Sequence, residues 1–261
     1  MAGSRTFTFL GTGTSVGVPM IGCECETCRS TNPRNNRYRC SVLISTQRGS
    51  VLIDTTPELR LQLLRERVPL VHAVLYTHYH ADHMMGLDDL RLFPRALGGP
   101  LPIYCTEEVE QVVRRAFPYA FSGEFDHLPL GAIPRLTFRR IEPEVPFSVL
   151  GHHVVPVPLQ HAQYNVLGFR FDDVAYCTDV NQIAPESYAR LEGLRVLVID
   201  ALRPRPHPAH LSLDEALAVI ERLKPGKAYL THMAHEMNYD RLNSTLPPNV
   251  EMAYDGLKFT F

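Results

Sequence analysis

Apolar and polar positions along the chain follow two different spacings. Apolar or alternating runs recur at 6–11, 41–46, 50–54, 71–76, 101–104, 152–159, 166–177, 195–199 and 227–231. Bounded by Gly, Pro, Asn and Asp, such runs read as strands. Between them the spacing changes to that of a helix face. Over 57–67, Pro57 stands at a helix start and Leu59, Leu63 and Leu64 follow at helical intervals. A second helical stretch covers 107–117. A third, 212–223, opens on Ser212 with Glu215 three residues on, the pair that forms a capping box. Strands and helices occur in both halves, with no linker, heptad repeat or low-complexity tract between them. The pattern predicts an α/β fold, a single domain over 1–261, with two sheets inside and helices outside. A chain of 261 residues can bury a core of that size.

Composition removes several classes of function. No apolar run approaches the roughly 18 residues of a membrane span. Residues 1–5 lead into the first strand without the apolar core of a signal peptide. The expectation is a cytoplasmic protein with no membrane partner. A net charge of −2 offers no general basic field to nucleic acid, so no nucleic-acid partner is expected. Two local basic stretches stand out. Arg34-Asn35-Asn36-Arg37-Tyr38-Arg39 reads as a solvated loop more readily than as an anion contact. Arg203-Pro204-Arg205-Pro206-His207 follows a strand end, where its side chains can reach a phosphate.

The sharpest chemistry follows the run 71–76. His78-Tyr79-His80-Ala81-Asp82-His83 crowds three imidazoles and a carboxylate into one turn at a strand end. These groups are the usual ligands of zinc and related divalent ions. In an extended turn His78 and His80 point to one side and Asp82 to another, with His83 able to join it. That spacing suits two neighbouring ions. A second cluster, Cys23-Glu24-Cys25-Glu26-Thr27-Cys28, places three thiols in six residues of a Gly- and Pro-punctuated loop. A disulfide needs a specific separation and direction of its Cβ atoms, and three crowded thiols without a secretion signal fit a metal better. Structural zinc takes four ligands. His235, three residues after His232, is the best candidate for the fourth. Cys40, Cys105 and Cys177 lie in apolar runs and are expected to be small buried hydrophobes.

The pattern His-x-His-x-Asp-His at 78–83 is the signature of the metallo-β-lactamase superfamily, which the chain resembles along its length. The other stations stand in the expected order: Asp54 after Val51-Leu52-Ile53, His161 after 154–159, Asp179 after Ala175-Tyr176-Cys177-Thr178, and His232 after 227–231. The resemblance implies a four-layer αββα sandwich whose halves are related by duplication. It also implies one divalent ion on His78, His80 and His161, a second on Asp82, His83 and His232, and Asp179 bridging them. Zinc, manganese and iron are all compatible with such ligands. A water shared by the ions would be the nucleophile. Asp54 either accepts a hydrogen bond from a ligand imidazole or only shapes the turn after its strand.

Three segments narrow the resemblance: Gly11-Thr12-Gly13-Thr14-Ser15-Val16-Gly17-Val18-Pro19, Gly22-Cys23-Glu24-Cys25 and Thr231-His232-Met233-Ala234-His235. Together they look like the phosphonate-pathway phosphodiesterases that open a phosphoribosyl 1,2-cyclic phosphate. That family implies a separate structural zinc on three cysteines and one histidine. It also implies an extra catalytic histidine, here His210, acting with Asp82 and Asp179. The expected substrate partner is a small, cyclic phosphodiester, and a homodimer is compatible with the chain. Other readings stay open. tRNA 3′-end processing enzymes share the ligands but insert a long arm between the stations matching His161 and Asp179, where only 17 residues stand here. A thioesterase or lactonase, or a zinc-binding protein that keeps only the fold, are the others.

Overall fold

The central strands are apolar at consecutive positions because both of their faces are covered. The computed structural model describes residues 4–125 and 127–261, so residues 1–3 of the expected leaderless start lie outside the described residues. The strands are β1 (Thr6–Gly11), β2 (Ser41–Thr46), β3 (Gly49–Ile53), β4 (Ala73–Leu75), β5 (Leu101–Cys105), β6 (Leu136–Arg140), β7 (Phe147–Val149), β8 (His152–His161), β9 (Tyr164–Phe171), β10 (Val174–Cys177), β11 (Val196–Asp200), β12 (Lys227–Thr231), β13 (Val250–Met252) and β14 (Lys258–Thr260). The helices are α1 (Leu59–Arg65), α2 (Ala81–Met84), α3 (Phe93–Leu97), α4 (Glu107–Ala116), α5 (Pro185–Arg190), α6 (Leu213–Leu223) and α7 (Tyr239–Leu242).

One sheet has the order β14-β1-β2-β3-β4-β5-β6, the other β7-β8-β9-β10-β11-β12-β13. Read in those directions, each sheet passes through three antiparallel pairings and then three parallel ones. The duplication implied by the resemblance is therefore visible in the topology. Side chains alternate across each sheet. Val51 and Ile53 point between the sheets, as do Val196 and Val198. Leu52 points outward, under α1 and α4, and Leu197 and Ile199 point outward, under α6. Three apolar cores thus separate four layers, αββα. No helix among the described residues is long and apolar enough to cross a membrane.

Local sequence explains the joints. Ser212 Oγ accepts from Glu215 N, and Glu215 Oε2 accepts from Ser212 N at 2.8 Å, so the expected capping box starts α6. The run 166–177 is two strands rather than one, because the chain turns at Asp172-Asp173 between β9 and β10. A Cβ on Gly11 would lie 1.9 Å from the Arg39 carbonyl oxygen, so only glycine lets these segments meet. The stretch 34–39 is not the solvated loop its composition predicts. Arg37 is 2% exposed, Arg39 pairs with Glu58, and Arg34 stacks over Tyr239 and Tyr254. Their charge is taken up by carbonyls, a carboxylate and rings of the protein itself.

Candidate metal centres

The strand ends converge along one rim. Asp54 follows β3, the 78–83 turn follows β4, His161 ends β8, Asp179 follows β10, Asp200 ends β11 and His232 follows β12. The C-terminal ends of parallel strands are where α/β sheets assemble their sites. Asp54, Asp179 and His232 hold left-handed backbone, with φ of 63°, 51° and 57°. Such conformations cost energy in residues other than glycine, and concentrate where a side chain must be aimed.

Ligand-type atoms of His78, His80 and His161 lie within 4.8 Å of one another, as do those of Asp82, His83, Asp179 and His232. The groups meet at Asp179. Its Oδ2 is 3.9 Å from both His78 Nε2 and His161 Nε2 and 3.3 Å from His232 Nε2. Its Oδ1 is 3.2 Å from His83 Nε2. Asp82 Oδ2 stands 3.3 Å from His83 Nε2 and 3.8 Å from His232 Nε2. Atoms each about 2.0–2.2 Å from a common ion stand roughly 3–4 Å apart. The buried Nε2 atoms of His78, His83 and His232 make no hydrogen bond. Buried donors left free and spaced in this way fit divalent metal ions.

The second ring nitrogens of His78, His83 and His161 are held, whereas His232 Nδ1 lies 4.0 Å from Asp200 Oδ1 and makes no hydrogen bond. His83 Nδ1–H donates to Asp54 Oδ2 at 2.8 Å, and His161 Nδ1–H to the Ala209 carbonyl at 2.6 Å. His78 Nδ1–H donates to Thr77 Oγ1 at 2.9 Å, and that hydroxyl donates to Asp54 Oδ2 at 2.8 Å. Anchoring Nδ1 turns Nε2 toward an ion and fixes the tautomer. Of its two possible roles, Asp54 takes that of imidazole acceptor. Sequence reasoning missed Thr77 and Asp200. A signal for Asp200 existed, since Val196-Leu197-Val198-Ile199-Asp200 repeats the apolar-strand-then-Asp pattern that marked Asp54.

Electrostatics agree with a site built for positive charge. Burial pushes His78 well below the ordinary imidazole value, and the neighbouring His83 adds to that. His80 and His161 are also lowered by burial. Neutral imidazoles are the form that ligates. Burial also acts to lower His83 and His232, but the surrounding carboxylates prevail. Asp179, Asp82 and Asp54 hold His83 well above its usual range, and Asp179, Asp82 and Asp200 raise His232 to about 9. Asp179 stays ionised despite burial, because His232, His83 and His78 face it.

The cysteine loop closes against His235. Its Nδ1 is 3.3 Å from Cys23 Sγ and 3.2 Å from Cys25 Sγ, and all four ligand atoms, with Cys28 Sγ, lie within 4.8 Å. Tetrahedral zinc with Zn–S of about 2.3 Å sets its ligand atoms roughly 3.5–3.8 Å apart. Burial opposes ionisation of Cys25, but the Cys28 amide, His235 and the neighbouring thiols outweigh it and bring the thiol down to about 6. Cys28 is pushed the other way, up to about 11, by burial and by the neighbouring thiols, so Cys25 is the thiol poised to ionise first. Cys40, Cys105 and Cys177 are fully buried, as expected.

His210 joins the rim, with ligand-type atoms within 4.8 Å of those of His161 and Asp179 and of those of Asp200 and His232. Its Nδ1–H donates to Asp200 Oδ2 at 2.7 Å. Its ring stacks on His232 with centroids 4.6 Å apart and lies 4.5 Å from His161. The 203–207 loop borders His210 and is braced from within. Arg203 donates to the carbonyls of Arg205 and Pro206, while His207 Nδ1 accepts from Ala209 N, with its ring 5.2 Å from His210.

Residues 50–233 match the beta-lactamase superfamily domain. Over its full length the chain is similar to a solved diphosphatase of the PhnP family, at 40% identity and a TM-score of 0.93, covering 100% of this chain and 98% of that one. The Zn²⁺-bound PqqB of Methylobacterium extorquens shares the fold at 19% identity and a TM-score of 0.79, covering 97% of this chain and 99% of that one. An octanoyltransferase of Porphyromonas gingivalis is 35% identical over 253 residues, which are 95% of this chain and 50% of that protein. The chain thus spans about half the length of that relative. It belongs to the beta-lactamase superfamily. Within the superfamily its full-length likeness places it in the PhnP family.

Proposed function

We propose that the chain is a dinuclear phosphodiesterase acting on a small, cyclic phosphodiester, with a third ion, a structural zinc, on Cys23, Cys25, Cys28 and His235. The observation that carries the reading is the position of Asp179, one carboxylate within 3.9 Å of four imidazole nitrogens from two ligand groups. One ion would take His78, His80 and His161, the other Asp82, His83 and His232, with Asp179 between them. Two dications so held would supply a water made nucleophilic near neutral pH and would offset charge on the phosphoryl oxygens. The protein's own groups do the rest. Asp54, Thr77 and the Ala209 carbonyl hold the rings. Asp200 engages Nδ1 of His210, so Nε2 is the atom that passes a proton to the leaving oxygen as the P–O bond breaks. The β8–β9 connection is a tight hairpin through Ala162 and Gln163. That turn and the net charge of −2 favour a small substrate over tRNA.

A second reading, attack on an acyl carbon, is favoured by the name of the octanoyltransferase relative. That relative is about twice as long, so its transferase activity need not reside in the shared half. A substrate panel separates the two. The metal-loaded chain is expected to cleave bis-p-nitrophenyl phosphate and a cyclic nucleotide and to leave lactones and octanoyl thioesters intact. Preferential thioester cleavage would reverse the ranking. His210→Ala is expected to keep its metals and lose about 10²–10⁴-fold in turnover on a diester with a poor leaving group. The loss should be smaller with p-nitrophenolate, which needs less protonation. Equal rates on the poor leaving group would rule out general acid catalysis by His210, and a lost ion would make it a ligand.

A further inference from the structure

We propose that Arg37 is the positioning residue of the cysteine–histidine site, aligning His235 with the three thiols without itself touching an ion. The inference rests on the zinc reading of that cluster. Arg37 joins the two segments that supply the ligands. Its backbone pairs with Val18: Arg37 N donates to the Val18 carbonyl at 2.7 Å, and Val18 N donates back at 3.0 Å. That pairing fixes the chain just before the cysteine loop. The side chain then crosses to the other segment. Nη1–H donates to the Ala234 carbonyl at 3.1 Å and Nη2–H to the Met237 carbonyl at 2.6 Å. These two carbonyls lie on either side of His235. Nη2 also reaches Asn35 Oδ1 at 3.4 Å, and Asn35 Oδ1 accepts from Tyr239 N at 2.8 Å, which extends the grip along the same loop.

A guanidinium that is 2% exposed is a costly way to fill volume, since an apolar side chain of similar size often serves stability as well. Among the described residues it hydrogen-bonds to no carboxylate. What it adds is a rigid planar fork that holds two carbonyls at a set separation, which a single ammonium cannot do. His232, at the start of the same loop, is held independently. Met233 N donates to the Thr12 carbonyl at 2.9 Å, and Thr14 N donates to the Met233 carbonyl at 3.2 Å. Loosening Arg37 should therefore release His235 and leave the His232 side of the loop in place.

The test uses the full-length chain loaded with Co²⁺ and competed against a chelator. Thiolate ligation gives a charge-transfer band that histidine and carboxylate ligands do not. Arg37→Lys is expected to weaken binding at the thiolate site by about 10–100-fold, the usual cost of losing a group that orients a ligand, and to keep the other two ions. Arg37→Gln is the second variant, with the same expectation. Arg34→Ala removes the stacking on Tyr239 and Tyr254 from the outside of the same region, and is expected to lower Tm while leaving the thiolate band and its affinity unchanged. Wild-type affinity in both Arg37 variants, or equal weakening in Arg34→Ala, would overturn the proposal. So would failure of both Arg37 variants to fold in excess zinc, because a role confined to the site leaves the sandwich standing. A wild-type chain with no thiolate band would remove the zinc reading itself, and this inference with it.

Discussion

Replacing Asp179 should abolish hydrolysis while the sandwich persists. Its carboxylate lies within 3.9 Å of His78, His161, His83 and His232 together. Without it the two ligand groups lose their common member, and ions held there would lose a shared carboxylate and its charge. Removing a single preorganised donor from an oxyanion site costs about 10²–10³ in kcat. Loss of a ligand shared by two ions should exceed roughly 10³-fold on that scale. The apolar cores between and outside the sheets do not include Asp179, so folding should survive. Alanine at φ 51° adds backbone strain, whereas asparagine tolerates that region. Asp179→Asn is therefore the cleaner variant and Asp179→Ala the harsher one. Steady-state rates and melting curves on both check this. Turnover within tenfold of wild type in a metal-replete Asp179→Asn protein would show that the carboxylate is not shared.

Cys25→Ser should do the reverse. The cluster joins the 14–30 loop to the 234–240 loop, whose Met237 and Tyr239 are already packed in the outer core. A metal held there would cross-link the two loops, and by analogy with a disulfide the constraint is worth about 2–4 kcal/mol. At roughly 2–4 °C per kcal/mol for a chain of this size, the expected fall in Tm is about 5–15 °C. Hydrolysis at a temperature where the variant is folded should change far less than in Asp179→Asn. Unchanged Tm with unchanged zinc content would refute the structural assignment.

What the sequence revealed, and what it hid, follows burial. The strands covered on both faces, such as Val51-Leu52-Ile53 and Val196-Leu197-Val198-Ile199, announced themselves as apolar runs. The four strands that pattern reading missed, β6, β7, β13 and β14, are the four outer edges of the two sheets. Edge strands are short and mix polar with apolar positions, so no periodicity marks them. Leu136–Arg140 ends in two exposed arginines, and Lys258–Thr260 is three residues long. The metal-type residues were legible because crowding of His, Asp and Cys is rare. The groups that hold them were not. Thr77 acts through its hydroxyl and Ala209 through its carbonyl, and neither role leaves a residue-type signature. Arg37 was hidden for a related reason. A basic stretch reads as solvent-facing until its carbonyl partners, some 200 residues away, are known.

Metal content per chain bears most directly on the dinuclear assignment. Elemental analysis of purified, reconstituted wild-type protein is expected to give three divalent ions per chain. Two of them should be lost or weakened in Asp179→Asn, and one, zinc, should be lost in Cys25→Ser. One ion or fewer per wild-type chain after reconstitution would contradict the dinuclear site, and an ion count unchanged in Cys25→Ser would contradict the separate zinc.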